Sequence, residues 1–306
     1  MILRIFLLIF IILGITIIVF WQPDLKKHDL EQKYSSPTSH FINIKGDRLH
    51  IRDTGNPEGP VVVFIHGFGA SLHTWENWST ALEKNYRVIR FDLPGFGLSE
   101  TDLKRDYSDD RTNDILLGLL EQLDVKKMYL VGNSIGGRIA WYFSAKHPEL
   151  VAKLVLISPD GFESPGMAYN KAPEVPSYMD AIQYIFPKLM FKKNLEFAYA
   201  KQDFLTQTLF LQYYELALYP GHRKAMLDRM RQTVLQDPRL YLKNIHCPVL
   251  LLWGEKDGMI PISNAKDYLA LLPQATLQRI ENIGHLPQEE DSAGTLPYLI
   301  DFFQAK

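Results

Sequence analysis

Hydrophobic positions along the chain fall into three regimes. Residues Ile5 to Trp21 form a nearly unbroken apolar run diluted only by Gly14 and Thr16. From His40 onward, short apolar runs recur, each followed by a glycine-bearing turn and then an amphipathic stretch. Between Gly161 and about Pro238 the short runs disappear and a helical period takes over.

The short runs predict strands. Phe41–Ile44 and Leu49–Arg52 flank the turn Lys45-Gly46-Asp47 and read as an antiparallel hairpin. Pro60–Ile65, Tyr86–Phe91, Met128–Val131, Leu154–Ser158, Pro248–Trp253 and Thr276–Ile280 follow as further strands. Continuous apolar runs such as Pro60–Ile65 are the mark of strands buried on both faces of a parallel sheet. Helices are expected at Trp75–Lys84 and Asp110–Leu123 between them. The middle segment predicts helices near Ser177–Phe186, Lys188–Lys201, Phe204–Leu218 and His222–Leu235.

Chemistry concentrates at the turns. Gly132-Asn133-Ser134-Ile135-Gly136-Gly137 follows the strand Met128–Val131 and opens a helix, with Ser134 at the apex. Glycines two before and two after the serine allow strand and helix to approach closely. The helix beginning at Ile135 aims its free N–H groups and positive dipole end beside Ser134. Such a turn suits a serine nucleophile whose intermediate carries an oxyanion. A glycine-rich β–α turn with an incidental serine is the plainer reading of the same six residues.

His66-Gly67-Phe68-Gly69, Asp92-Leu93-Pro94-Gly95-Phe96-Gly97 and the Ser134 turn, in that order, resemble the α/β-hydrolase superfamily. The likeness runs from about His40 to Lys306, apart from the middle segment. It implies an α/β-hydrolase fold: a mostly parallel eight-stranded sheet flanked by helices, with an inserted all-helical cap. It places the oxyanion hole at the N–H groups of Phe68 and Ile135. It also implies a catalytic acid at Asp257, after the strand Pro248–Trp253, and a catalytic histidine at His285, in the loop after Thr276–Ile280. Asp160, just after the preceding strand, is the alternative acid. The order Ser134, Asp257, His285 is the one this fold uses. His66 is expected to stabilise its loop.

The N-terminal run is long enough to cross about 26 Å as a helix, the short end for a bilayer core. Trp21 fits an interfacial aromatic position, and Val19-Phe20-Trp21-Gln22-Pro23 offers no small-residue cleavage site. Residues 1–22 are therefore expected to be an uncleaved single-pass membrane anchor, with residues 5–21 in the lipid bilayer. Either membrane face is open for the catalytic part. Residues 23–39 are expected as a flexible linker, 40–160 as the first half of the core, 161–238 as the cap and 239–306 as the second half.

Composition narrows the function. A net charge of −2 offers no footprint for nucleic acid. One cysteine, Cys247, excludes an intrachain disulfide and a cysteine-rich metal site. The triad requires no cofactor and no metal. The middle segment is rich in aromatic groups, among them Tyr184, Phe186, Phe191, Phe210 and Tyr214, which favours apolar acyl or aromatic substrates. Together with an anchor, this looks most like an esterase or lipase of the monoacylglycerol-lipase type acting on a small apolar ester. The alternatives are a carbon–carbon hydrolase or acyltransferase on the same triad, and a catalytically silent binding protein. The carbon–carbon hydrolases of ring cleavage also resemble Gly-Asn-Ser-x-Gly-Gly, but usually carry tryptophan where this chain has Leu286.

Overall fold

The computed structural model describes residues 4, 5, 14, 19–163 and 167–305. Eight strands form one sheet: β1 (Ser39–Ile44), β2 (Asp47–Gly55), β3 (Val61–Ile65), β4 (Arg87–Phe91), β5 (Met128–Asn133), β6 (Val151–Ile157), β7 (Val249–Gly254) and β8 (Ala275–Ile280). Their order is β1-β2-β4-β3-β5-β6-β7-β8. The first hairpin and the β2–β4 pair are antiparallel, and every other pairing is parallel. The hairpin turn uses Lys45 at φ 51° and Gly46 at φ 99°, the left-handed pair that matches strand twist.

The continuous apolar runs do sit in the middle of the sheet. Val62, Val63, Phe64 and Ile65 are fully buried, as are Leu154 to Ile157 and Leu251 to Trp253. One face packs on the helices Asp109–Gln122 and Ile135–Lys146, the other on Glu76–Leu82 and Ser292–Gln304. Burying each such side chain contributes roughly 1.5–3 kcal/mol. Ser108 caps the helix Asp109–Gln122 by accepting the Arg111 N–H.

The middle segment is helical, in shorter pieces than the periodicity predicts. Ser177–Gln183 is a 3₁₀ stretch bracketed by Pro176 and Pro187, with α-helices at Lys188–Glu196, Gln207–Ala217 and His222–Gln232. Phe186, Phe191, Phe210 and Tyr214 form one aromatic cluster among these helices.

The N-terminal expectations change. Most of residues 5–21 lies outside the described residues, and no helix among the described residues is long and apolar enough to cross a membrane. The transmembrane helix, the bilayer as partner and the single-pass membrane location drawn from that run are therefore withdrawn. Trp21, expected at a lipid interface, stacks on Tyr184 at 5.4 Å and pairs with Ile185 in an isolated bridge. Residues 23–39, expected as flexible, carry the helix Lys27–Tyr34 with Leu30 buried against Leu98 and Tyr219. Asp24 pairs with the buried guanidinium of Arg223 at 2.7 Å, and the Leu25 N–H donates to Leu218. This segment straps the helices after Thr206 to the sheet edge, where Arg48 meets Glu31 at 2.7 Å.

Candidate active site

The turn after β5 holds Ser134 at φ 57°, ψ −122°, an arrangement rare for a residue with a side chain. Local contacts impose it. A Cβ on Gly132 would lie 2.2 Å from the Gly136 carbonyl oxygen, and one on Gly136 would lie 2.3 Å from that of Ile65. Only glycine fits either position. The Ser134 N–H donates to Ile157, while its carbonyl accepts from the N–H groups of Arg138 and Asp160. The strain is thus held by β6 and the helix Ile135–Lys146 together.

The loop after β3 passes directly over this turn. A Cβ on Gly67 would sit 3.2 Å from the Ser134 Cβ. The loop's shape comes from His66, whose Nδ1–H donates to Gly67 O at 2.8 Å while Nε2 accepts the Leu93 N–H at 3.0 Å. Burial pushes this imidazole's pKa down, so it stays neutral and keeps that tautomer. Phe68 follows, partly exposed, with its ring edge-on to Phe96. Among the described residues, neither the Phe68 nor the Ile135 N–H is engaged by another backbone carbonyl.

Below the loop, Asp92 is fully buried and joins three segments. It accepts from the N–H groups of Leu72 at 2.6 Å and Leu98 at 2.8 Å and meets His50 Nδ1 at 2.7 Å. Burial alone would raise its pKa; the facing His50 outweighs burial and holds it well below the usual carboxylate range.

His285 and Asp257 come together. The imidazole Nδ1 donates to Asp257 Oδ2 at 2.8 Å, and both side chains are shielded from solvent. Asp257 Oδ1 accepts from the N–H groups of Met259 and Ile260. Burial pushes this carboxyl up, but the imidazole and the Ile260 N–H prevail and keep it below its usual range. An imidazole fixed this way leaves Nε2 free to take up and return a proton. Asp160 is engaged elsewhere: its carboxylate faces the buried Arg138 at 3.2 Å, and Arg138 also meets Asp109.

Asn133 links the histidine loop to the serine turn, a role the sequence reading did not isolate from the surrounding motif. Its Nδ2 donates to the carbonyls of His285 at 3.1 Å and Ile157 at 3.2 Å. Among the described residues no hydrogen bond joins the side chains of Ser134 and His285 themselves. Glu289 and Glu290 were also missed. Glu290 accepts the N–H groups of Gly284, Ala200 and Lys201, and Glu289 accepts the hydroxyls of Tyr199 and Tyr213. The His285 N–H itself donates to Ala198 O at 2.7 Å. The histidine loop is therefore built partly from the helical middle segment. Among the described residues, no three His, Cys, Asp or Glu side chains are grouped to hold a metal ion.

A family profile described as alpha/beta hydrolase fold matches residues 60–292. A 2-hydroxy-6-oxononadienedioate/2-hydroxy-6-oxononatrienedioate hydrolase of Pseudomonas putida is 30% identical over 289 residues, covering 87% of this chain and 96% of the relative. Among solved structures, a bacterial membrane phospholipase A superposes with a TM-score of 0.75 at 25% identity, covering 99% of this chain and 97% of that one. A meta-cleavage product hydrolase of Pseudomonas fluorescens gives 0.74 at 25% identity, covering 86% of this chain and 97% of the other. With its sheet order, its strained serine turn and a profile match over most of its length, the chain belongs to the α/β-hydrolase family.

Proposed function

We propose that the protein is a serine hydrolase of apolar carboxylic esters, working through an acyl-enzyme. Ser134 Oγ attacks the ester carbonyl carbon while His285 takes its proton. The Phe68 and Ile135 N–H groups receive the oxyanion. Collapse of the intermediate breaks the bond to the alcohol oxygen, which takes the proton back from His285. Water then adds by the same route, releasing the acid and restoring Ser134. Asp257 orients the imidazole and stabilises its cationic form. In this reading residues 40–160 and 239–306 form the core, and 161–238 roof the site as a cap.

The observation that carries the reading is the buried Asp257–His285 pair, tied through Asn133 to the strained serine turn. The likeness to the phospholipase extends over nearly all of this chain, whereas that to the meta-cleavage product hydrolase covers 86%. That difference in reach, with Leu286 after the histidine, supports esters over carbon–carbon cleavage. The test is hydrolysis of p-nitrophenyl esters from two to sixteen carbons by wild type and Ser134→Ala. Turnover that disappears in the variant supports the reading, and its absence at every length in folded wild type would sink it.

A second reading has an observation of its own. The Pseudomonas putida relative, at 30% identity, is named as a hydrolase of 2-hydroxy-6-oxononadienedioate and 2-hydroxy-6-oxononatrienedioate, oxo acids without an ester bond, whose hydrolysis would break a carbon–carbon bond. Turnover of a vinylogous diketone with no ester turnover would move the assignment there.

A further inference from the structure

A cavity of about 130 Å³ lies between the loop that follows Phe68 and the helix Gln207–Ala217. Ser71 and Thr74 form its core side, Phe204, Leu209 and Tyr213 its opposite wall, and Glu289 reaches it from one turn beyond His285. A void of this size holds a benzene-sized group when its walls are apolar. This one differs in its charge. Among the described residues, no lysine or arginine lines it.

Two carboxylates border the cavity, and they are not equivalent. Glu76 is matched by Arg52 and Arg90 at 2.7 and 2.8 Å. Among the described residues Glu289 has no such cation: its oxygens accept the hydroxyls of Tyr199 at 2.6 Å and Tyr213 at 2.7 Å. His73 also borders the space, but burial pushes its pKa down to about 4, so it supplies no positive charge at neutral pH. Enclosing a carboxylate without a counter-charge is costly. Burial accordingly pushes the Glu289 carboxyl up.

We propose that this cavity is a subsite for a small trialkylammonium group carried on the alcohol portion of the substrate, with Glu289 as counter-charge and Phe204 and Tyr213 as aromatic walls. A primary ammonium or a polyol would need several free hydrogen-bond acceptors there, yet the Tyr213 hydroxyl is committed to Glu289, that of Ser71 to His73 and that of Thr74 to Gln288. A trialkylammonium needs no hydrogen bonds and gains from a carboxylate and from ring faces. Placing the cation on an ester's alcohol rests on the function proposed above; its binding to the cavity does not.

The experiment has two arms. In the first, tetramethylammonium is titrated into wild type, Glu289→Gln and Leu209→Trp by calorimetry, the last variant filling the cavity while leaving the carboxylate. Binding to wild type that weakens by about tenfold or more in both variants supports the subsite. No binding to wild type, or equal binding to all three, would overturn it. In the second arm, kcat/KM for a butyryl thiocholine ester is divided by that for its uncharged 3,3-dimethylbutyl isostere. The subsite requires a ratio of about ten or more in wild type, falling toward one in both variants. A ratio near one in an active wild type overturns the placement on the alcohol. If neither ester turns over, the ester reading fails and the calorimetric arm still decides the subsite.

Discussion

Ser134 keeps its left-handed backbone because three main-chain hydrogen bonds and two glycines leave it no alternative. On the ester reading, Ser134→Ala lowers kcat by about 10³-fold or more with the melting temperature little changed, as stopped turnover and calorimetry would show together. Asp257→Asn is expected to cost about 10⁴-fold in kcat, because the imidazole loses the acceptor that selects its tautomer. The same carboxyl shapes the acid limb of stability. Its pKa is lower folded than unfolded, so its contribution is in place above the ordinary 3.8 and is lost as pH falls through the folded value. Glu289 has the opposite sign: its folded pKa is raised, so stability declines as pH climbs from 4.5 through the raised value. Denaturant melts across pH should show Glu289→Gln without that decline; an unchanged slope would remove the group from the account. At this scale the sequence was readable where a backbone conformation demands a residue type, as at Gly132 and Gly136. It was silent on Asn133, whose work depends on a carbonyl 152 residues away.

Among the elements, strands were the most legible, since burial on both faces leaves an uninterrupted apolar signature. The helices of the middle segment were read too long. Pro176 and Pro187 bracket the 3₁₀ stretch Ser177–Gln183, and Thr206 starts the helix Gln207–Ala217 by accepting the Leu209 N–H, three residues later than the apolar pattern suggests. Asp257 is favoured over Asp160 by the resemblance around it, although both follow parallel strands. What separates them is Arg138, which occupies Asp160 from the neighbouring helix. Helix capping supplies a simple check at this scale. Ser108→Ala should lower unfolding free energy by about 1 kcal/mol while kcat stays put, since the Arg111 N–H loses its acceptor far from Ser134.

The whole molecule is closed by its N-terminal segment, whose contacts no local pattern announces. Asp24 and Arg223 lie 199 residues apart in the sequence. Asp24→Asn should reduce stability by about 1–2 kcal/mol, moderated because Asp24 is 38% exposed, and should quicken proteolysis between 176 and 206. Unaltered proteolysis there would show that the strap does not hold those helices. The bond from the His285 N–H to Ala198, with Glu290 gripping Ala200 and Lys201, bears on how such proteins can be recombined. A chimera that exchanges the helical middle segment would carry away the ledge on which the histidine rests. Residues 198–201 should therefore be kept with the core in such a graft, and an exchange that alters the backbone of that short stretch is expected to disturb the histidine loop rather than merely change specificity.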